Sequence, residues 1–135
     1  MPSDKKMVLV VDDEPDTLTF LSTVLEDSGF KTRTAMDGEA AVRAIEEEPP
    51  DLITLDVTMP EKSGVAVYRF VKENDQYKNI PVIIITGISN DFRRFISTRR
   101  KVPAPDGYIS KPVDHKELVK LVKSLLEKKE LSASA

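Results

Sequence analysis

The chain has 135 residues, 40% of them hydrophobic and 32% charged, with a formal net charge of -3, which is the size and make-up of one ordinary globular domain rather than a disordered, collagenous or membrane-spanning chain. It has no cysteine and a single histidine, His115, so disulfides, thiolate catalysis and zinc sites built from cysteine or clustered histidine are excluded, and any metal must take oxygen ligands. No apolar run approaches the roughly 18 residues of a membrane span, the first six residues lack the apolar core of a signal peptide, and the acidic balance disfavours nucleic acid. The expectation is a cytoplasmic protein with no membrane and no direct nucleic-acid contact.

Residues 7–11 form a continuous apolar run that breaks into Asp12, Asp13, Glu14 and Pro15, a buried strand running into a helix whose first turn suits proline. Leu18, Leu21 and Leu25 then recur at helical spacing, and Ser28-Gly29 is a stop signal. Residues 31–35 alternate weakly as a second strand. Asp37 is placed to cap a second helix with Ala41, Ala44 and Ile45 on one face, ended by Pro49-Pro50. Residues 52–55 predict a buried third strand that ends on Asp56, and Ser63 a third helix with Val67, Phe70 and Val71 turned inward. Residues 81–86 are the most apolar strand of the chain. A fourth helix is expected over about residues 90–100 on Phe92, Phe95 and Ile96, broken by Pro103 and Pro105. Residues 106–109 read as an edge strand, and Asp114 with Glu117 as a capping box before a last helix that buries Leu118, Leu121, Val122 and Leu125.

Five strands alternating with five helices imply an α/β fold with a parallel sheet covered on both faces, because parallel neighbours require crossover connections. In open sheets of this kind ligands bind beyond the carboxyl ends of the strands. Five chemistry-bearing side chains stand there, namely Asp12, Asp13, Asp56, Thr86 and Lys111. Three gathered carboxylates repel one another unless a cation intervenes. Mg²⁺ matches them, since it takes carboxylate and phosphate oxygens with water. A carboxylate can also act as the nucleophile that forms an aspartyl phosphate.

Four motifs in order, "VVDDEP" at 10–15, "LDVTMPEKSG" at 55–64, "IITG" at 84–87 and "YISKP" at 108–112, resemble the response regulator receiver family, CheY-like proteins of two-component signalling. The resemblance covers about residues 6–127. It implies a single receiver domain over 1–135 with a flavodoxin-like, doubly wound five-stranded sheet in the order 2-1-3-4-5. It also implies that Asp56 is the phosphoacceptor, served by a sensor histidine kinase or phosphotransfer protein. Asp12, Asp13, Asp56 and the backbone carbonyl of Thr58 would hold Mg²⁺, Lys111 would pair with the acceptor, and Thr86 and Tyr108 would switch. The Lys111-Pro112 bond resembles the family's cis peptide. The output would pass to a downstream protein through the face of the fourth helix, fifth strand and fifth helix, from a monomer or a phosphorylation-dependent dimer. The catalysis implied is only that of its own phosphorylation and dephosphorylation.

Taken singly, each residue has a plainer reading: Asp12 and Asp13 as helix caps, Asp56 as a turn residue, Lys111 as a solvated lysine, Tyr108 as a packing ring. His115, in the first turn of an amphipathic helix, reads as surface. Arg93, Arg94, Arg99, Arg100 and Lys101 form either the solvated face of the fourth helix or a stripe that steers an acidic partner. Two other functions stand beside the switch: a Mg²⁺-dependent phosphatase with an aspartyl nucleophile, and a receiver-shaped scaffold that is never phosphorylated.

Overall fold

Strands β1 (Met7–Val11), β2 (Lys31–Ala35), β3 (Leu52–Asp56), β4 (Val82–Thr86) and β5 (Gly107–Ser110) lie parallel in one sheet, in the order β2-β1-β3-β4-β5. The computed structural model describes residues 5–57, 63–86 and 106–134, without the side chains of residues 63 and 129–134. Among the described residues there are four helices, α1 (Pro15–Asp27), α2 (Gly38–Glu47), α3 (Ser63–Lys72) and α4 (His115–Ser134). The helix expected over residues 90–100, with its apolar and basic side chains, lies outside them, as do Thr58, Pro103 and Pro105.

Strand alternation divides the core between the two faces of the sheet. Leu9, Val11, Ile53, Leu55, Val82 and Ile84 face α2 and α3. Val8, Val10, Leu52, Ile83, Ile85 and Ile109 face α1 and α4. Strands β1, β3 and β4 are buried at every position, and each fully covered aliphatic side chain contributes about 1.5–3 kcal/mol. The edge strand β2 buries only Ala35, which is why its pattern reads weakly in sequence.

Local chemistry sets the helix ends. α1 stops in a Schellman arrangement, with Phe30 N–H donating to Leu25 O and Gly29 N–H to Glu26 O, both at 3.1 Å. Gly29 adopts the left-handed φ of 97° that this geometry requires. Asp37 Oδ1 accepts from Ala40 N–H at 2.7 Å at the start of α2. Asp114 Oδ1 accepts from the Lys116 and Glu117 N–H groups ahead of α4.

Several side chains depart from the sequence reading. Tyr68, not Phe70, is fully buried on α3, while Phe70 packs half-exposed against Tyr77 with ring centroids 5.6 Å apart. In α4, Leu126 is buried and Leu121 and Leu125 only partly so. β5 begins one residue late because the Asp106 carboxylate turns back to accept from Val82 N–H at 2.8 Å. The same Oδ2 lies 3.2 Å from Lys72 Nζ, and that ammonium also donates to Ile80 O at 2.9 Å. Lys72 thereby ties the end of α3 to the starts of β4 and β5.

Candidate functional site

The carboxyl ends of β1 and β3 deliver three acids to one place. Asp12 and Asp56 are 1% and 2% exposed and Asp13 is half-buried. Each offers a carboxylate oxygen within 4.8 Å of the other two. Asp12 Oδ1 accepts from Glu14 N–H at 2.9 Å and fixes the turn into α1, but neither Asp12 nor Asp13 is the helix cap, because Glu14 stands at that position.

Among the described residues the cation at this site is Lys111, carried in by the loop after β5. Its Nζ lies 3.3 Å from Asp56 Oδ2, from Asp12 Oδ2 and from Glu14 Oε1. Lys111 N–H donates to Thr86 O at 3.0 Å, which extends the β4–β5 ladder into the loop and aims the side chain back over the acids. The Lys111-Pro112 peptide is cis, as the resemblance implied.

Burial raises the pKa of Asp12, and the neighbouring Asp56 adds to the rise, against the opposing pull of the Glu14 N–H and Lys111. Burial alone would lower the Lys111 ammonium, but Asp56 and Asp12 outweigh it and the group is held above its ordinary value. Asp12 Oδ2 is buried and, although near Lys111, makes no aligned hydrogen bond. Among the described residues three carboxylates therefore share one ammonium, with Asp13 gathered beside two of them. Each of the three acids can bring one carboxylate oxygen to within 4.8 Å of the others, and Mg²⁺ takes oxygen ligands of this kind. The set could hold a divalent cation.

Thr86 ends β4 and is buried, one residue beyond the Ile85 that registers with Asp56. Tyr108 lies on β5, half-buried against the core cluster of α2 and α3 rather than among the acids. His115 is exposed, in line with its surface reading. Thr58 lies outside the described residues.

Two participants escaped the sequence reading. Glu14 was taken as part of a helix start, yet it is a third acid on Lys111. Gly64, quoted only as the end of a motif, is where α3 presses on the end of β3 at Asp56. A β-carbon there would collide with the carbonyl oxygen of Asp56 and stand 2.7 Å from Val57 Cα. Only glycine permits that approach.

Comparison with known proteins agrees with this architecture. The family profile for the response regulator receiver domain matches residues 8–123. The chain is 35% identical over 128 residues to the alkaline phosphatase synthesis transcriptional regulatory protein PhoP of Bacillus subtilis, covering 95% of this chain and 51% of that protein. It is 31% identical to the polar-differentiation response regulator DivK of Brucella anthropi, over 90% of this chain and 96% of that one. Among solved structures, the signal receiver domain of a signal transduction histidine kinase from Syntrophus aciditrophicus superimposes with a TM-score of 0.80 at 34% identity, covering 91% of each chain. The chain spans about half the length of the first curated relatives it matches. With the ordered β/α sheet and the acids at its carboxyl edge, these likenesses show that the chain belongs to the response regulator receiver domains of two-component systems.

Proposed function

We propose that Asp56 accepts a phosphoryl group from a sensor histidine kinase or phosphotransfer protein, and that this modification switches binding of a downstream protein. The observation that carries the reading is the pairing of the buried Asp56 carboxylate with Lys111 at 3.3 Å, beside two further carboxylates gathered within 4.8 Å.

In the transfer an Asp56 oxygen forms a bond to phosphorus as the donor's phosphorus–nitrogen bond breaks. The electron pair returns to the donor imidazole, which takes a proton from solvent. Lys111 orients the acceptor carboxylate and offsets charge on the incoming oxygens. Asp12, Asp13, Asp56 and the Thr58 carbonyl are the residues assigned to Mg²⁺. The buried Asp12 oxygen that lacks an aligned hydrogen bond and the excess of carboxylates support the assignment of a hard divalent ion. When bound, Mg²⁺ supplies charge neutralisation at the transferring phosphoryl group.

Thr86 would hydrogen-bond a phosphoryl oxygen and Tyr108 would follow inward, biasing a two-state equilibrium that the partner reads. The protein acts as a signalling module in the cytoplasm and turns over only its own aspartyl phosphate. Residues 1–135 are assigned to one receiver domain with its core at about 6–127. The output face is assigned to the segment over 90–100, β5 and α4, on a monomer or a phosphorylation-dependent dimer.

Incubation with acetyl phosphate and Mg²⁺, followed by intact mass, tests the reading. The expected result is a stable gain of one phosphoryl group that is absent in Asp56→Asn. Rapid multiple turnover would point instead to a phosphatase, and no gain in either protein to a scaffold.

A further inference from the structure

Glu14 stands at the N-cap position of α1, yet its side chain makes no capping hydrogen bond. It reaches instead across 97 positions of sequence to accept from Lys111 Nζ at 3.3 Å. Its backbone is pinned on both sides, by the hydrogen bond from its N–H to Asp12 Oδ1 and by Pro15 at the first position of the helix. The side chain thus starts from a fixed point at the mouth of the site. It is 64% exposed, where Asp12 and Asp56, the other two acids on the same ammonium, are 1% and 2% exposed. Lys111 is shared between a buried inner pair and an exposed outer acid, all at 3.3 Å.

We propose that Glu14 is a positioning residue that restrains phosphorylation by competing with the incoming phosphoryl group for Lys111. The inference rests on the assignment of Asp56 as acceptor and deepens it. The three N–H donors of Lys111 already face three acids, so a phosphoryl oxygen on Asp56 competes with them, and the exposed Glu14 contact is the one most readily displaced. Because the contact is exposed and screened, its loss is worth a modest factor, about 1.5- to 5-fold in affinity for a phosphoryl group or its mimic.

Three proteins test this: the wild type, Glu14→Gln and Glu14→Asp. Gln removes the charge. Asp keeps the charge, but its carboxylate is one methylene shorter, withdrawn from Lys111 and placed to cap α1 instead. The affinity for fluoroberyllate in the presence of Mg²⁺, measured by calorimetry, and the rate of phosphorylation by acetyl phosphate are the readouts. Both variants are expected to bind fluoroberyllate about 1.5- to 5-fold more tightly than the wild type, and to be phosphorylated faster. If Asp matches the wild type while Gln differs, the effect is the general charge field and the competition is overturned. It is likewise overturned if neither variant changes, or if both bind more weakly. A wild type that neither binds fluoroberyllate nor gains a phosphoryl group overturns the assignment of Asp56, and this proposal with it.

Discussion

A carboxylate that is 1% exposed and faces a second buried carboxylate has exchanged bulk water for one ammonium and one backbone N–H. Its raised pKa states the cost: the folded protein disfavours ionised Asp12 relative to the unfolded chain. Asn at this position would keep an oxygen for the Glu14 N–H and remove the repulsion with Asp56, while Lys111 would retain Asp56 and Glu14. In chelator-treated protein Asp12→Asn should therefore melt higher than the wild type, by about 2–5 °C. Added Mg²⁺ should raise the wild-type Tm and do little for the variant, since binding only the folded state shifts stability by mass action. A lower Tm for Asp12→Asn in chelator would show that the ionised carboxylate supports the fold, contrary to this account.

At the scale of elements, the placement of Asp56 depends on how tightly α3 lies on the end of β3. Gly64 makes that contact, and the atoms a β-carbon would strike belong to the backbone of Asp56 and Val57, which cannot rotate aside as a side chain would. Gly64→Ala must push α3 outward or shift Asp56, and overpacking of this kind costs about 1–3 kcal/mol. Urea denaturation should show that loss, together with slower phosphorylation because Asp56 is displaced from Lys111. An unchanged midpoint would mean that the helix moves away at no cost.

The contrast between Gly64 and Asp56 shows what a sequence discloses. Strands β1, β3 and β4 were legible because a strand covered on both faces must be apolar throughout, and Asp12, Asp13 and Asp56 because polar chemistry at the end of such a strand falls at the ligand edge; Lys111, after the edge strand β5, was read from its motif. Gly64 and Glu14 act through contacts with residues distant in the chain or across an element boundary, and neither residue type announces such a contact. Tyr68 was passed over for a related reason: a phenol at a helical position is as compatible with the rim as with the core, and only the packing of α3 on the sheet decides.

For the molecule as a whole, Tyr68 links packing to the pH range over which the fold survives. The side chain is fully buried. Burial pushes its phenol well above the ordinary value of 10.0, and the nearby Asp106 and Tyr108 push it further in the same direction. In the unfolded chain the phenol ionises near its ordinary value, so above about pH 10 the unfolded state releases a proton that the folded state keeps. Fewer protons on the unfolded chain make stability fall as pH rises. The contribution of Tyr68 is accordingly complete below pH 10 and is lost progressively above it, at a limiting slope of about 1.4 kcal/mol per pH unit. The informative quantity is the difference between the wild type and Tyr68→Phe, which cancels every group the two proteins share. Urea denaturation of both proteins from pH 8 to 11 should give parallel stability curves up to about pH 10. Beyond that the wild type should fall more steeply, narrowing or reversing whatever advantage its hydroxyl confers at neutral pH. Curves that stay parallel to pH 11 would mean that the folded protein ionises Tyr68 as readily as the unfolded chain, and that the interior between α3 and β5 admits water.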